Sequence, residues 1–318
     1  MKDMVYIDDR FINLNTDFNE LTHLLKEGFA RSSMEVPLRH HHEFVDPDGK
    51  VPSTLLLMPA WDPGSDAGVK LVTVNPHNSQ YNLPSIQGVY VYLDARNGSV
   101  KAIISAVALT TKRTAAASAL ASSYLSKPSS SSLLMVGTGA LSANLIRAHA
   151  TVRPIKRVYV WGRNIDKANN ICEMLSDQPY SVEAIRTIEE IVGSVDIISC
   201  ATLSRLPLIK GQYLREGQHL DLVGAYTKDM READSEAIRR SSLFVDSYEG
   251  ALKEAGDLVI PLEEGLIGEE DIQADLFDLC GNKKAGRGSE SQITLFKSVG
   301  HALEDLVAAG YYYQKFKQ

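Results

Sequence analysis

The chain has 318 residues, 44% of them hydrophobic and 23% charged, which is an ordinary composition for a globular protein. At ~100–200 residues per domain, this length predicts two domains. Acidic residues outnumber basic ones by 40 to 33, which gives a net charge of −7 without a block of Lys and Arg. Because nucleic acids and anionic membranes are bound by clustered cations, neither is an expected partner.

The cysteines and the N-terminal segment bear on the cellular compartment. Cys172, Cys200 and Cys280 are far apart and lack the spacing of a zinc site or a redox pair, as is usual in a reducing compartment. The first residues alternate acidic with apolar side chains, unlike a signal peptide, and no apolar run approaches ~18 residues. We therefore expect a cytoplasmic protein.

The N-terminal third mixes short apolar runs with turn residues. Turn signals occur at Asp46-Pro47-Asp48-Gly49 and at Asn97-Gly98, and the second predicts a β-hairpin because it joins two β-rich arms. An Ala-rich helix is predicted over Thr110–Ala121, and the Pro/Ser tract Ser126–Ser132 after it predicts a domain edge near this point. Strands are predicted at Leu55–Met58, Gly68–Val74, Gly88–Leu93 and Val100–Ser105.

Beyond this tract, apolar strands alternate with helices, which predicts a parallel, doubly wound α/β sheet. The predicted strands are Leu133–Val136, Val158–Trp161, Tyr180–Ile185, Asp196–Ala201, His219–Val223 and Leu243–Val245, and the helices are Leu141–Ala150, Asp166–Leu175 and Ile188–Val192. The last stretch, Gln292–Ala309, has amphipathic helical spacing and is expected to return to the N-terminal domain. The expected division is a discontinuous domain of residues 1–113 and 293–318 around an inserted domain of residues 114–292.

A glycine-rich turn connects the first strand of the inserted domain to its first helix. The turn reads Gly137-Thr138-Gly139-Ala140-Leu141-Ser142. The first glycine permits a tight turn, the second lets the backbone approach a pyrophosphate, and the helix N-terminus offers free N–H groups. The third glycine of the motif is replaced by Ser142, and such turns also occur in sheets that bind nothing. The flanking strands and helix nevertheless favour dinucleotide binding.

The end of the second strand discriminates between the two nicotinamide cofactors. An NAD site carries an acidic residue there for the ribose 2′-hydroxyl, whereas an arginine accommodates a 2′-phosphate. Here the strand is followed by Gly162-Arg163-Asn164, and the first acidic residue after it is Asp166. We therefore expect NADPH, with NADH as the possible alternative; the competing interpretation is that Arg163 is a solvated loop residue.

Three cations of the N-terminal half are candidates for a substrate site. They are Arg39, Lys70 inside a predicted strand, and Arg113 in the Ala-rich helix. Each alone is more readily explained by a solvent-facing or ion-paired side chain. Together, in a chain that binds a dinucleotide, they predict a carboxylate site. The run His40-His41-His42 is not a predicted metal site, because adjacent strand residues point to opposite faces.

Taken in order, these residues resemble the ornithine cyclodeaminase/μ-crystallin family, most closely its Δ1-pyrroline-2-carboxylate (ketimine) reductases. The resemblance implies a Rossmann-type doubly wound parallel sheet plus a second α/β domain for dimerisation and substrate binding, hence a homodimer. It covers almost the whole chain. The matching stretches are Pro37-Leu38-Arg39, Val69-Lys70, Thr110–Ala116, Gly137-Thr138-Gly139, Val160–Arg163, Glu254–Asp257, Phe296–Gly300 and Glu304-Asp305.

The resemblance also assigns roles by position. Substrate-binding positions are Arg39, Lys70, Ser85, Arg113 and Glu254, where Ser85 matches a hydroxyl of the cyclodeaminases and Glu254 a ligand-pocket residue of μ-crystallin. Cofactor-contacting positions are Thr114, Thr138, Ala140, Leu141, Arg163, Thr202, Val223 and Ser298, to which the turn and strand-end analysis adds Gly137, Gly139, Gly162 and Asn164.

One departure from the family pattern argues against one of its activities, ornithine cyclodeamination. The cyclodeaminases carry a catalytic aspartate after the strand equivalent to His219–Val223, and Tyr226 stands at that position here. Elimination of ammonia needs such a base, so ornithine cyclodeamination is not favoured. The leading hypothesis is NADPH-dependent reduction of Δ1-pyrroline-2-carboxylate to L-proline, and of its six-membered homologue Δ1-piperideine-2-carboxylate, with Lys70 or an ordered water as the proton source. Alanine dehydrogenase, a residual cyclodeaminase and a μ-crystallin-like binding protein are the alternatives.

Overall fold

The computed structural model describes residues 4–31, 33–45, 52–75 and 77–318. The chain divides into two compact units, Met1–Arg113 with Ala302–Gln318, and Thr114–His301. Helix α3 (Ala106–Leu125) contributes its first part to the first unit and the remainder to the second. The turn predicted at residues 46–49 lies outside the described residues.

The first unit contains a six-stranded sheet in the order β1-β6-β5-β4-β3-β2. The pair β1–β6 is parallel and the other pairs are antiparallel, so the predicted hairpin of β5 and β6 is confirmed. The strands are β1 (Val5–Ile7), β2 (His40–Phe44), β3 (Ser53–Trp61), β4 (Asp66–Val74), β5 (Ile86–Asp94) and β6 (Val100–Ser105). The remaining helices of this unit are α1 (Asp9–Leu14), α2 (Phe18–Ala30) and α10 (Ala302–Lys317).

Helices cover one face of this sheet. Helix α10 lies against α2 and against strands β3, β4 and β5. Residues at alternate positions of β5, among them Tyr90 and Tyr92, are fully buried, as expected for a period-two strand with one covered face. Helix α2 begins at a carboxylate cap, where the Asp17 side chain accepts hydrogen bonds from the N–H groups of Asn19 and Glu20.

The second unit is built on eight parallel strands in the order β13-β12-β14-β11-β10-β7-β8-β9, which confirms the predicted α/β class. The strands are β7 (Ser132–Val136), β8 (Arg157–Trp161), β9 (Ser181–Ile185), β10 (Ile197–Cys200), β11 (His219–Leu222), β12 (Ser242–Val245), β13 (Ile272–Asp275) and β14 (Thr294–Lys297). The helices are α4 (Ser142–Val152), α5 (Ile165–Met174), α6 (Ser235–Arg239), α7 (Tyr248–Glu254), α8 (Gly256–Glu263) and α9 (Leu276–Cys280).

The final stretch, predicted as one helix over Gln292–Ala309, contains a strand and a helix. Residues Thr294–Lys297 form β14 between β11 and β12, and helix α10 begins only at Ala302. All four residues of β14 are buried, as expected for a parallel strand that is covered on both faces. Without an alternation of buried and exposed positions, periodicity cannot distinguish such a strand from a buried helix segment. Residues 293–301, expected in the discontinuous domain, therefore belong to the second unit.

Two smaller predictions are also wrong. The helix expected at Ile188–Val192 is a turn that ends in a single 3₁₀ turn, Val192–Ser194, which begins without a side-chain cap, whereas the five-residue helices α6 and α9 are capped by Asp234 and Asp275. The serine tract does not mark the division between the units. It joins α3 to β7 within the second unit, where the Asp196 carboxylate accepts hydrogen bonds from Ser131 and Ser132.

Among the described residues, no helix is both long and apolar enough to cross a lipid bilayer.

Candidate functional site

The carboxyl ends of the parallel strands form the first candidate region. Strand order reverses beside β7, since β8 and β9 lie on one side of it and β10 and β11 on the other. Open α/β sheets bind their ligands at such a point. A groove of about 590 Å³ lies here. Its lining comes from the segments after β7, β8 and β10: Gly137, Thr138, Gly139, Trp161, Gly162, Arg163, Asn164, Lys167, Ala201, Thr202, Leu203, Ser204 and Leu208.

The glycine turn has the backbone geometry that a pyrophosphate requires. Gly137 has a φ of 126°, and a Cβ there would lie 2.6 Å from the carbonyl oxygen of Ala201, so only glycine fits. A Cβ on Gly139 would meet no atom within 4 Å, which leaves open space beside the turn. Ser142, at the third position of the motif, donates its hydroxyl to the Gly137 carbonyl at 2.9 Å and so closes the turn from within.

Helix α4 begins at this turn without a side-chain cap. Its N-cap residue, Leu141, provides no hydrogen-bond acceptor to the first helical N–H groups. Free N–H groups and the positive end of the helix dipole favour an anion at this position. The turn, the open space and the helix terminus together fit the pyrophosphate of a dinucleotide.

The end of β8 brings two cations to the groove. Arg163 is exposed there, as expected from sequence, and Lys167 from the first turn of α5 is a second cation that the sequence analysis missed. The side chain of Asn164 instead caps α5, accepting hydrogen bonds from Asp166 N–H at 2.8 Å and Lys167 N–H at 3.4 Å. Lys167 follows the Asn164 cap by three residues, so recognising that cap in the sequence would have placed Lys167 in the first turn of α5.

Several predicted cofactor residues lie outside the lining of this groove. Ser298 follows β14 and donates its hydroxyl to Asp246 at 3.0 Å, and Val223 follows β11 and is buried. The other three are Thr114 in α3, and Ala140 and Leu141, which follow Gly139 in the glycine turn. Glu254, predicted to contact substrate, is the half-buried last residue of α7. The groove therefore gathers seven of the twelve predicted cofactor positions.

The second candidate region is a buried cation cluster in the first unit. Lys70 on β4 and Arg113 on α3 are 3% and 4% exposed. The Lys70 Nζ lies 2.8 Å and 3.0 Å from the two carboxylate oxygens of Asp305. Arg113 donates from Nε to Asp305 at 3.0 Å and from Nη1 to Glu304 at 2.5 Å. Both carboxylates come from the first turn of α10 and are fully buried.

The electrostatics of this cluster centre on Lys70. Burial lowers its pKa to about 8, with further lowering by Arg113 and Arg39, while Asp305 acts in the opposite direction. Burial would raise the pKa of Asp305, yet Arg113 and Lys70 hold it below its ordinary value. Half-buried Arg39 is therefore close enough to join the cluster electrostatically. Lysine and arginine side chains gathered in this way suit a carboxylate ligand.

The remaining N-terminal candidates are more exposed. Ser85 lies at an exposed bend before β5, where its carbonyl oxygen accepts the Asn75 N–H at 2.8 Å. His40, His41 and His42 lie on the exposed edge strand β2. The rings of His40 and His42 contact each other edge to face, and the described part of the chain contains no group of three or more His, Cys, Asp or Glu side chains able to hold a metal ion.

Comparisons with known proteins extend over nearly the whole chain. The sequence model of the ornithine cyclodeaminase/mu-crystallin family matches residues 4–318. A Δ1-pyrroline-2-carboxylate reductase of Paracoccus denitrificans is 39% identical over 264 residues, which are 83% of this chain and 84% of that protein.

Solved structures of similar proteins also superpose on nearly the whole chain. The Δ1-pyrroline-2-carboxylate reductase of Thermococcus litoralis, in complex with NADH and L-proline, superposes with a TM-score of 0.91 at 32% identity, covering 98% of this chain and 96% of that one. An archaeal alanine dehydrogenase dimer with bound NAD gives a TM-score of 0.90 at 26% identity, with 98% and 95% covered. The chain belongs to the ornithine cyclodeaminase/μ-crystallin family.

Proposed function

We propose that this protein reduces the C=N bond of a cyclic imino acid, converting Δ1-pyrroline-2-carboxylate to L-proline with NADPH as the hydride donor. The observation that carries this proposal is the cluster of buried Lys70 and Arg113 with half-buried Arg39 beside them, because arginine and lysine are the side chains that bind a carboxylate. An oxidoreductase of this class is also what relatives at 32–39% identity are named. The six-membered homologue, Δ1-piperideine-2-carboxylate, presents the same carboxylate and the same C=N bond.

The cations of the first unit would hold the substrate by its carboxylate. Arg113 is oriented by two carboxylates, Glu304 and Asp305, so its guanidinium is fixed before substrate arrives. Such preorganisation lowers the ordering cost of binding and fixes the orientation of the ring. Arg39, which is less buried than Arg113, supplies a further positive charge.

Reduction of an imine needs a proton on nitrogen as well as a hydride on carbon. The nicotinamide supplies the hydride when it is bound. Lys70 is our proposed proton donor, because a pKa of about 8 leaves its ammonium protonated at neutral pH yet able to release the proton. Asp305, in contact with Nζ, would stabilise the ammonium between turnovers. An ordered water is the alternative donor.

The preference for NADPH rests on the groove after β8. Arg163 and Lys167 both line it, and a 2′-phosphate is a dianion that two cations would recognise. Catalytic efficiency measured with both cofactors tests this. A clear preference for NADH would contradict it.

We also propose a homodimer formed through the sheet of the first unit. The sheet face opposite Lys70 carries apolar side chains that are only half-buried, in a register that aligns Val69, Val91 and Ile103 across three strands. Leu57, Leu71 and Val89 form the neighbouring row. A contiguous apolar surface of this kind favours an interface. Leu71→Asp should therefore give monomers in light scattering, whereas Thr73→Asp, near the end of β4, should be less disruptive.

A substrate panel decides between the proposed activity and the family's others. Purified protein is assayed with the five- and six-membered imines, with pyruvate plus ammonia, and with ornithine, each with both cofactors. We expect oxidation of NADPH with the cyclic imines and no ammonia release from ornithine, since Tyr226 replaces the catalytic aspartate of the cyclodeaminases. If neither cyclic imine causes oxidation of the cofactor, the proposal is rejected. Cofactor binding without turnover of any substrate would favour a binding protein.

A further inference from the structure

A buried carboxylate in the second unit lies directly behind the groove and has no part in the proposed chemistry. Glu232 is fully buried. Its Oε1 accepts hydrogen bonds from the N–H of Thr202 at 2.6 Å and from its hydroxyl at 2.8 Å. Its Oε2 accepts the N–H groups of Gly224 at 2.8 Å and Ala225 at 3.4 Å. One side chain therefore joins the segment after β10 to the segment after β11.

The two segments approach each other closely at this carboxylate. A Cβ on Gly224 would lie 2.1 Å from both the backbone nitrogen and the carbonyl oxygen of Thr202, so the position excludes any side chain. Thr202 itself lines the groove. A change in the carboxylate would therefore be transmitted to the groove wall.

Two further buried charges hold Glu232 in place. The Asp257 Oδ1 accepts the N–H groups of Glu232 at 2.7 Å and Ala233 at 3.1 Å. The Oδ2 of the same aspartate lies 3.0 Å from the Nζ of Lys297, the last residue of β14. All three ionisable side chains are fully buried. The ends of β10, β11 and β14 are thus linked by one network.

The topology indicates which half of a dinucleotide this wall would face. Arg163 at the end of β8 is the proposed site of the 2′-phosphate, and the glycine turn after β7 is that of the pyrophosphate. A dinucleotide spans the crevice on both sides of the switch point, so its nicotinamide half would lie toward β10 and β11. Thr202 and Gly224 are at that end.

We propose that Glu232 is a positioning residue, whose carboxylate fixes the segments after β10 and β11 and thereby shapes the wall that receives the nicotinamide half of the cofactor. This inference rests on the proposed function, because it presumes a bound nicotinamide cofactor. Both carboxylate oxygens of Glu232 must act as hydrogen-bond acceptors, because each faces a backbone N–H whose direction is fixed by the chain. Glutamine is therefore a disruptive replacement, because its NH₂ group would face one of these donors.

The direct test compares Glu232→Gln with Glu236→Gln, a half-buried glutamate of α6 that pairs with exposed Arg239. NADPH affinity is measured by fluorescence titration without substrate, alongside thermal unfolding and steady-state kinetics. For Glu232→Gln we expect a roughly tenfold rise in Kd and a lower kcat, because the segments after β10 and β11 lose a charged hydrogen bond that holds them in place. The KM for the imine should stay within about twofold, because the cations proposed to hold its carboxylate are unchanged. The control should match the wild type.

These measurements distinguish a positioning role of Glu232 from a purely stabilising role. A lower Tm with unchanged Kd and kcat in the folded variant would overturn the proposal. If Glu232→Gln does not fold, Thr202→Val takes its place, because it removes one donor and keeps the backbone N–H. An unchanged Kd in that variant would also overturn it. Failure of the wild type to bind either cofactor would reject the proposed function itself.

A pH series on the wild type adds a readout that a structural role would not move. Burial raises the pKa of Glu232 to about 7, while Lys297 lowers it and Asp257 raises it; the buried thiol of Cys200 also faces this carboxylate. Protonation of Glu232 would place an O–H group opposite the N–H groups of Thr202 and Gly224, which already donate to this carboxylate. The Kd for NADH, which has no 2′-phosphate to titrate, should therefore rise as pH falls from 8 to 6. The same series on Glu232→Gln should be flat, and equal slopes would contradict the proposal.

Discussion

The groove at the glycine turn and the cluster around Lys70 both suit anions, but they are built from different groups. The groove offers backbone N–H groups, a helix terminus and exposed cations. The cluster offers two almost fully buried cations, each held by a carboxylate of α10, with half-buried Arg39 beside them.

The difference shows what each arrangement costs and provides. Backbone N–H groups at a helix terminus bind phosphate without burying a charge, so they tolerate an exposed groove. Buried cations must be neutralised in part, and Glu304 and Asp305 do this for Lys70 and Arg113. We expect the cluster to be sensitive to the loss of any charge, and the groove to be sensitive mainly to shape.

The largest expected effect follows from Arg113→Ala. This change removes a carboxylate-binding group and leaves two buried carboxylates without it, so we expect a loss of kcat/KM of about a hundredfold and a lower Tm. The Kd for NADPH should be unchanged. Arg31→Ala, which removes an exposed arginine of the same unit, is the control. Unchanged kinetics would make the Arg113 cation purely structural.

A smaller effect is expected for Arg163→Ala in the groove. The ratio of kcat/KM for NADPH to that for NADH should fall by about tenfold, because charged hydrogen bonds to phosphate are worth ~1.5–3 kcal/mol. Thermal stability should not change, since Arg163 is exposed. Lys167→Ala should shift the ratio in the same direction by less. An unaltered ratio in both variants would exclude these cations as the 2′-phosphate site.

Gly139→Ala probes the shape of the groove. Because a Cβ there meets no protein atom within 4 Å, we expect no loss of stability. The methyl group would instead occupy space beside the turn, so the Kd for NADPH should rise about fivefold through steric exclusion. Gly288→Ala, whose Cβ would make only an ordinary contact, is the matched control. Equal affinities in the two variants would mean that the pyrophosphate does not approach this turn.

The smallest effect concerns pH. Because the pKa of Lys70 is lowered to about 8, its ammonium is lost as pH rises through this value, and kcat/KM for the imine should fall by about half at pH 8. Asp305→Asn removes the group that raises this pKa, so the decline should begin at lower pH. A profile that is flat to pH 9 in the wild type would exclude Lys70 as the proton donor and favour water.

The sequence was most informative where function depends on adjacent residues. The turn from Gly137 to Ser142 and the strand end at Arg163 are local patterns, and their placement in the groove followed from strand order. Periodicity failed at β14, because a buried parallel strand resembles a buried helix. Glu232, Glu304 and Asp305 gave no usable signal of their roles, since an acidic residue in sequence is usually a solvated one.

By itself, the sequence determined the α/β class, the glycine turn and the cations that bear on ligand chemistry, because these depend on residue type and short spacing. Only the tertiary structure decided which carboxylates accompany those cations. Lys70 and Asp305 are 235 positions apart, and Thr202 and Glu232 are 30 apart. Burial and pairing set the charge state of such groups, and both are properties of the folded chain.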